Sequence, residues 1–290
     1  MRAGILPMEA TQHILNSEGE SVHAIMYTPP GKAIGSMLFC NPLFEERKSA
    51  ARTLTETAES LCASGFNILR FDYRGCGDSH GDFSRYSVHD WTSDISAAKD
   101  FLEESAPGLP TGLLGLRFGA AIAFRTCSED NSYSFVAGWE PVTDGRSYIL
   151  HEMRKKLMKE MLTFGKKRKT REDLEQRLEN GESIDLDGYE LAPGLYKEIT
   201  AMNIMALCPE TAACLVLDAT HTGRPSSATA ELRKSWTQRN PNALFRSIRM
   251  EPFWNLTGYI DCSHAIELIR EWAADTVNNG KASGIQKRER

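Results

Sequence analysis

The stretch "TGLLGLRFGAAIAF", residues 111–124, decides how the chain is read. An apolar run of strand length, "TGLLGL", meets a turn of small residues and then a helix-forming run, "RFGAAIAFRTC". In junctions of this outline a G-x-S-x-G motif places a serine on the sharp turn, with its hydroxyl exposed above the end of the strand. Here the glycines are Gly115 and Gly119, and the central residue is Arg117, flanked by Leu116 and Phe118. A guanidinium stays protonated at any pH of interest and cannot attack a carbonyl. The junction is kept and the nucleophile is gone.

Working outward, strand-like and helix-like runs alternate. "SVHAIMYTPP" and "IGSMLFCNP" read as strands, "ARTLTETAESLCASG" as a helix stopped by Gly65, and "FNILRFDYRGCGDS" as a strand entering a glycine-rich turn. "VHDWTSDISAAKDFLEES" carries Trp91, Ile95, Ala98 and Leu102 on one helical face, and "YSFVAGWEPV" is a further strand. Such alternation predicts an α/β fold, a mostly parallel sheet with helices on both faces. From about 143 to 205 the rhythm breaks into charged, helical sequence, and it resumes with "AACLVLDAT", "LFRSIRMEPFW" and a closing helix. The predicted division is therefore a core of 1–142 and 206–277, a helical cap inserted over 143–205, and a polar tail, frayed, over 278–290.

Composition narrows the function classes. A hydrophobic content of 41% and a charged content of 25% are those of a soluble globular protein, and a net charge of −5 gives no reason to expect a nucleic acid or an anionic membrane as partner. The one basic run, "GKKRKTRE" at 165–172, leads straight into acidic "EDLEQRLE" and reads as a solvated turn. No run approaches a membrane span, and the N-terminus lacks an apolar stretch of signal-peptide length, so a cytoplasmic location is expected. Seven scattered cysteines, with no C-x-x-C pair, read as reduced thiols; no metal site and no cofactor are expected.

Four features in order carry a resemblance: "CNPLFEER" after a strand, where an oxyanion loop would lie; the D-x-R-G-x-G-x-S turn from Asp72 to Ser79; the altered elbow; and the insertion after the next strand. Together they resemble the α/β-hydrolase fold, in its serine-aminopeptidase and lipase-like branch. "NPLFEERKSA", "GCGDSHGDF", "LLGLRFGA", "GYELAPGLYKEITAMNI" and "EPFW" further resemble the hydrolases associated with the exosortase A system, second type. That resemblance implies a hydrolase-like protein (ester, thioester or amide class) in which arginine at the elbow is a lineage feature. Fold alone does not establish chemistry.

A serine mechanism also needs a histidine base and an acid that orients it. Asp218, at the end of "AACLVLDAT", stands where the acid would be, or simply closes the strand end. The loop expected to hold the base reads Glu251-Pro252-Phe253-Trp254-Asn255, so Trp254 or Asn255 replaces histidine. His264, inside the closing helix, and His221, just past Asp218, are the remaining candidates for a base. Cys40 and Cys76, the latter close to His80, are candidate thiol nucleophiles, although a buried cysteine is usually a small hydrophobe.

Arg117 supports two readings. At a helix N-terminus it can join the backbone N–H groups in holding a carboxylate or phosphate, with Leu116, Phe118, Asn41 and Trp254 lining the site. Alternatively Glu45 or Glu46 pairs with it and fills the pocket. Three functions follow: recognition of a small acidic or acyl-bearing metabolite between cap and core, with non-serine chemistry or none; a non-catalytic scaffold that binds a protein partner; or a hydrolase or acyl transferase using a cysteine or another nucleophile with His264.

Overall fold

Strands whose every residue is buried form the centre of the molecule. In a computed structural model describing residues 8–165, 169–256 and 258–288, β3 (Gly35–Cys40) and β5 (Thr111–Leu116) are buried along their whole length. Both their faces are covered, which suits near-continuous apolar runs. Around them lie β1 (Glu9–Ser17), β2 (Glu20–Thr28), β4 (Phe66–Phe71), β6 (Phe135–Trp139), β9 (Ala213–Thr220) and β10 (Ala243–Arg249). They form one eight-stranded sheet in the order β1-β2-β4-β3-β5-β6-β9-β10. β1–β2 and β2–β4 are antiparallel and every other pairing is parallel. This is the α/β-hydrolase fold.

Helices α1 (Phe44–Ala63) and α8 (Ser263–Arg288) cover one face. Helices α2 (Val88–Ser105), α3 (Phe118–Glu129) and α7 (Ser227–Trp236) cover the other. Trp91, Phe124 and Trp236 fill the second layer, and Leu54, Leu61, Ala265 and Ile269 the first.

Between β6 and β9 the chain leaves the sheet for α4 (Gly145–Phe164), α5 (Arg171–Glu179), the strand pair β7 (Ile184–Leu186) and β8 (Tyr189–Leu191), and α6 (Pro193–Ala201). The sequence reading made this segment wholly helical. The hairpin turns on Asp187-Gly188, both at positive φ (51° and 94°), and Asp-Gly is the pair such two-residue turns require. At the N-terminus, β1 is an antiparallel edge strand that the alternation did not announce. At the C-terminus, α8 runs on through residues 278–288, which the sequence reading had assigned to a frayed tail. The solvated turn expected over 165–172 includes residues 166–168, which lie outside the described residues. No helix among the described residues is long and apolar enough to cross a membrane.

Candidate functional site

Arg117 is the N-cap of α3, with φ 56° and ψ −120°. This is a strained conformation for a residue with a side chain, and such strain persists only where the surroundings impose it. The surroundings here are explicit. A Cβ on Gly115 would lie 2.4 Å from the Ala120 Cα, and one on Gly119 would lie 2.2 Å from the Cys40 carbonyl oxygen. Both positions must therefore be glycine for α3 to fold back on β5 and press against the end of β3. The Arg117 N–H donates to the Trp139 carbonyl (3.0 Å), and the Arg117 carbonyl accepts from Val142 N–H (3.2 Å), fixing the turn to the next strand end. The sharp strand–helix turn carries Arg117 at its apex.

The guanidinium is held on several sides. Arg117 Nε donates to Glu46 Oε1 at 3.0 Å, and Nη1 donates to the Glu140 carbonyl at 3.4 Å. Glu46 is fully buried, and its other oxygen accepts from the Tyr148 hydroxyl of α4 at 3.1 Å. The Trp254 ring lies 5.2 Å from the guanidinium carbon, and the Tyr148 ring 5.8 Å. Glu46 sits in the first turn of α1, where the helix dipole favours negative charge; Arg117 sits at the start of α3, where the dipole opposes positive charge. The pair settles both helix ends at once. Burial works against the charge of Arg117, and Glu46, Tyr148 and Glu140 more than offset it, holding the group protonated more firmly than an ordinary arginine.

A second acidic feature lies beside this pair. Glu140 follows β6 at φ 45°, and its Oε2 accepts from Ala219 N–H at 2.6 Å. Burial, with hydrogen bonding to Asp218 adding to it, pushes the Glu140 carboxyl up to about 7. Asp218 Oδ2 accepts from Ser226 N–H (2.7 Å) and Ser247 Oγ (3.3 Å). Asp218 thus joins the ends of β9 and β10 to the start of α7, and among the described residues no histidine is its partner.

The remaining sequence candidates separate. His264 is exposed on α8, and exposed His221 faces Glu251 at 3.4 Å. Glu45 is half exposed and pairs with Lys48 at 2.8 Å rather than with Arg117. Asn41 is buried and donates to the Phe71 carbonyl through Nδ2. Leu116 and Phe118 are buried, and Phe118 stacks on Tyr148, with ring centres 5.5 Å apart. Burial pushes the Cys40 and Cys76 thiols up to about 12, which leaves essentially no thiolate at neutral pH, and His80 points to Glu20 instead of Cys76. Among the described residues, no hydrogen bond or ion pair links Cys40, Cys76 or Asp218 to a histidine.

Tyr148, Glu140, His151 and Glu152 were not singled out from the sequence. Burial, then Lys155 and Arg117, lowers the His151 pKa; burial, then Glu46, raises that of Glu152. Tyr148, Ile149, Glu152 and Met153 form one buried stripe on α4, a helical spacing that could have marked the inward face. As for metals, His23, Asp72 and Asp78 bring donor atoms within 4.8 Å of one another, but Asp72 Oδ1 already accepts from Arg47 Nη1 at 2.7 Å.

Comparison with known proteins agrees with this architecture. Residues 46–193 match the family model described as serine aminopeptidase, S33. An uncharacterized protein of Rickettsia prowazekii, RP471, is 32% identical over 99 residues, covering 34% of this chain and 40% of that one. Human monoglyceride lipase is 26% identical over 125 residues, covering 43% of this chain. The chain spans 40% of the length of each of these two relatives. Among solved structures, Est1E from Butyrivibrio proteoclasticus superposes with a TM-score of 0.64 at 14% identity, over 92% of this chain and 99% of that one. The family match covers the buried pair member Glu46, the glycine turn, the elbow and α4. The chain therefore belongs to the serine aminopeptidase S33 family of α/β-hydrolases.

Proposed function

We propose that this chain is an esterase- and lipase-like family member without serine chemistry, a pseudo-hydrolase that acts by binding. One observation carries the reading: Arg117 keeps the elbow backbone while its guanidinium is fixed between the Glu46 carboxylate and the Trp254 ring. Trp254 and Asn255 lie in the loop predicted to hold the base, and the Trp254 ring makes a cation–π contact with the guanidinium there. The segment 143–205 acts as a cap, tied to the elbow by Tyr148 and Glu46. The resemblance to the exosortase-associated hydrolases supports the same view, since it makes the arginine a lineage feature.

A second reading has its own observation. Arg117 Nη2 makes no hydrogen bond among the described residues, and the side chain keeps 16% of its surface exposed. That edge can hold one small carboxylate or acyl-bearing ligand, with His151 on the cap side close enough to feel the charges of Arg117 and Glu46. Incubation with a fluorophosphonate probe and with p-nitrophenyl acetate tests the first reading. No serine is labelled and no turnover is seen; stoichiometric labelling that abolishes turnover overturns it. Thermal shift with small carboxylates tests the second: stabilisation of wild type, absent in Arg117→Met, supports it, and no shift in either refutes it.

A further inference from the structure

The eight-stranded sheet ends in two edge strands of different character. β10, at one end, carries Arg246 and Arg249, and charge on an edge strand discourages pairing with another chain. β1, at the other end, is nine residues long and pairs with β2 in unbroken register from Glu9 to Ser17. Among the described residues nothing pairs with its outer side. Its sequence, "EATQHILNS", has no lysine, arginine or proline, and Ile14 on it is 68% exposed. Beyond Glu9 at its start, neither charge, proline nor bulge blunts this edge.

Beside the edge runs a groove of about 590 Å³, between Ile14–Glu18 and the flank of α2. Ser93, Ser96 and Ala97 line that flank, and their small side chains leave the room. Leu15 and Phe101 supply apolar surface. Every charged residue of the lining is an acid: Glu18 at the end of β1, and Asp100 and Glu104 one turn apart on α2. Asp100 and Glu104 are exposed and have no ion-pair partner among the described residues; Lys99, beside Asp100 in the chain, reaches Glu103 and Asp130 instead. Glu18 pairs with Arg74 at 2.8 Å and still keeps 54% of its side chain exposed. Like charges four residues apart on a helix repel, so this flank gains from a cation that comes between them.

A strand laid along β1 takes up the backbone hydrogen bonds that the edge offers, and every second side chain then stands over the groove. We infer that the β1 edge is a docking site for an extended, basic segment of a partner protein, which adds a ninth strand to the sheet and sets lysine or arginine at alternate positions against Asp100 and Glu104. Backbone pairing supplies the affinity, and the acids select the sequence. A second copy meeting this edge about a two-fold axis would instead line up both sets of acids along one seam. The elbow follows β5, four strands in from this edge, so failure of the docking site leaves the reading of Arg117 untouched.

Fluorescence anisotropy with labelled peptides as long as β1 tests this. The full chain is titrated into a peptide alternating valine and lysine, a peptide alternating valine and glutamate, and the valine–lysine peptide N-methylated at alternate residues, which keeps the charge and cannot pair. The valine–lysine peptide should bind saturably, and more weakly at high salt. The other two should bind at least roughly tenfold more weakly. The charge-reversed variant Asp100→Lys, Glu104→Lys should lose roughly tenfold for the valine–lysine peptide, with an unchanged circular dichroism spectrum because both side chains are exposed. Four results would overturn the proposal: no saturable binding at low salt; equal binding of the N-methylated peptide, which would make the contact one of charge alone; undiminished binding by the charge-reversed variant; or a stable dimer in ultracentrifugation that Ile14→Lys dissociates, which would put a second copy on this edge.

Discussion

Two arginines near the sheet's edge, Arg74 and Arg117, are satisfied differently. Arg74, in the glycine turn after β4, is 4% exposed and surrounded by acids: Asp94 at 2.7 Å, Glu18 at 2.8 Å, Glu20 at 3.2 Å and Asp90 at 3.9 Å. Its carbonyl accepts from Trp91 Nε1, and its N–H donates to Asp94. Arg117 has one carboxylate partner, one long carbonyl contact, two aromatic faces and an open edge. A buried guanidinium costs several kcal/mol unless its donors are met. Arg74 is built to hold β1, β2 and α2 together, whereas Arg117 is supported just well enough to keep an elbow closed.

Breaking the stronger arrangement should cost most. Arg74→Met strands Asp94, which is fully buried, and leaves the glycine turn without its anchor. Loss of one partner of a buried pair typically costs about 3–5 kcal/mol, a large share of a domain's net stability, so little folded protein should be recovered. Arg74→Lys should fold but unfold at lower urea, because one ammonium cannot reproduce the fork of donors. A urea midpoint for Arg74→Met equal to that of wild type would remove the distinction between the two arginines.

Arg117→Met should destabilise less, by about 2–4 kcal/mol, since Glu46 keeps the Tyr148 hydroxyl and the first turn of α1. Adding Glu46→Gln should recover part of the loss, because the stranded charge is then gone. A double variant less stable than the sum of the two singles would show that the pair is not the main support. Arg117→Ser should give no robust acyl-enzyme with p-nitrophenyl acetate, because Asp218 bonds Ser226 and Ser247 and no histidine among the described residues.

How much of this was legible in the sequence follows from what each residue does locally. Gly115 and Gly119 could be read because a tight strand–helix crossing forbids a Cβ, and the alternation of buried runs with amphipathic ones announced the parallel sheet. A glutamate in "CNPLFEER" was a natural partner for Arg117 because the loop had to pass the elbow; which of two adjacent glutamates turns inward depends on where α1 starts, and it starts earlier than the loop reading assumed. Glu140 was hidden because its burial depends on the end of β9, far along the chain. His264 and His221 were attractive by residue type alone, and tertiary placement sends both to the surface.

The Glu140–Asp218 contact sharpens the comparison through pH. A carboxyl that ionises near 7 instead of its ordinary 4.5 favours the folded state while it is protonated. Its contribution is fully present below about 4.5 and is lost as pH rises through about 7, an effect on the order of 3 kcal/mol at most. Glu140→Gln cannot ionise, so its stability should fall less than that of wild type between pH 5 and pH 8. Urea titrations at several pH values give the two slopes. Parallel curves for wild type and variant would mean that Glu140 is not the titrating group.

The smallest effect tests the tie between α4 and the elbow. Tyr148 is buried, stacks on Phe118, and donates its hydroxyl to Glu46. Tyr148→Phe keeps the stacking and the volume and removes only that donor. A hydrogen bond to a charged acceptor contributes about 1.5–3 kcal/mol, and Glu46 keeps its pair with Arg117, which should place the loss at the lower end. Global stability should therefore drop by about 1.5–2 kcal/mol. The local consequence is more telling. With Glu46 held by Arg117 alone, the start of α4 should open more readily, and hydrogen exchange of its first turns should speed up while that of α2, anchored by Arg74, stays unchanged. Equal acceleration in both helices would mean that Tyr148 contributes only to overall packing, and that the hydroxyl does not fasten α4 to the elbow.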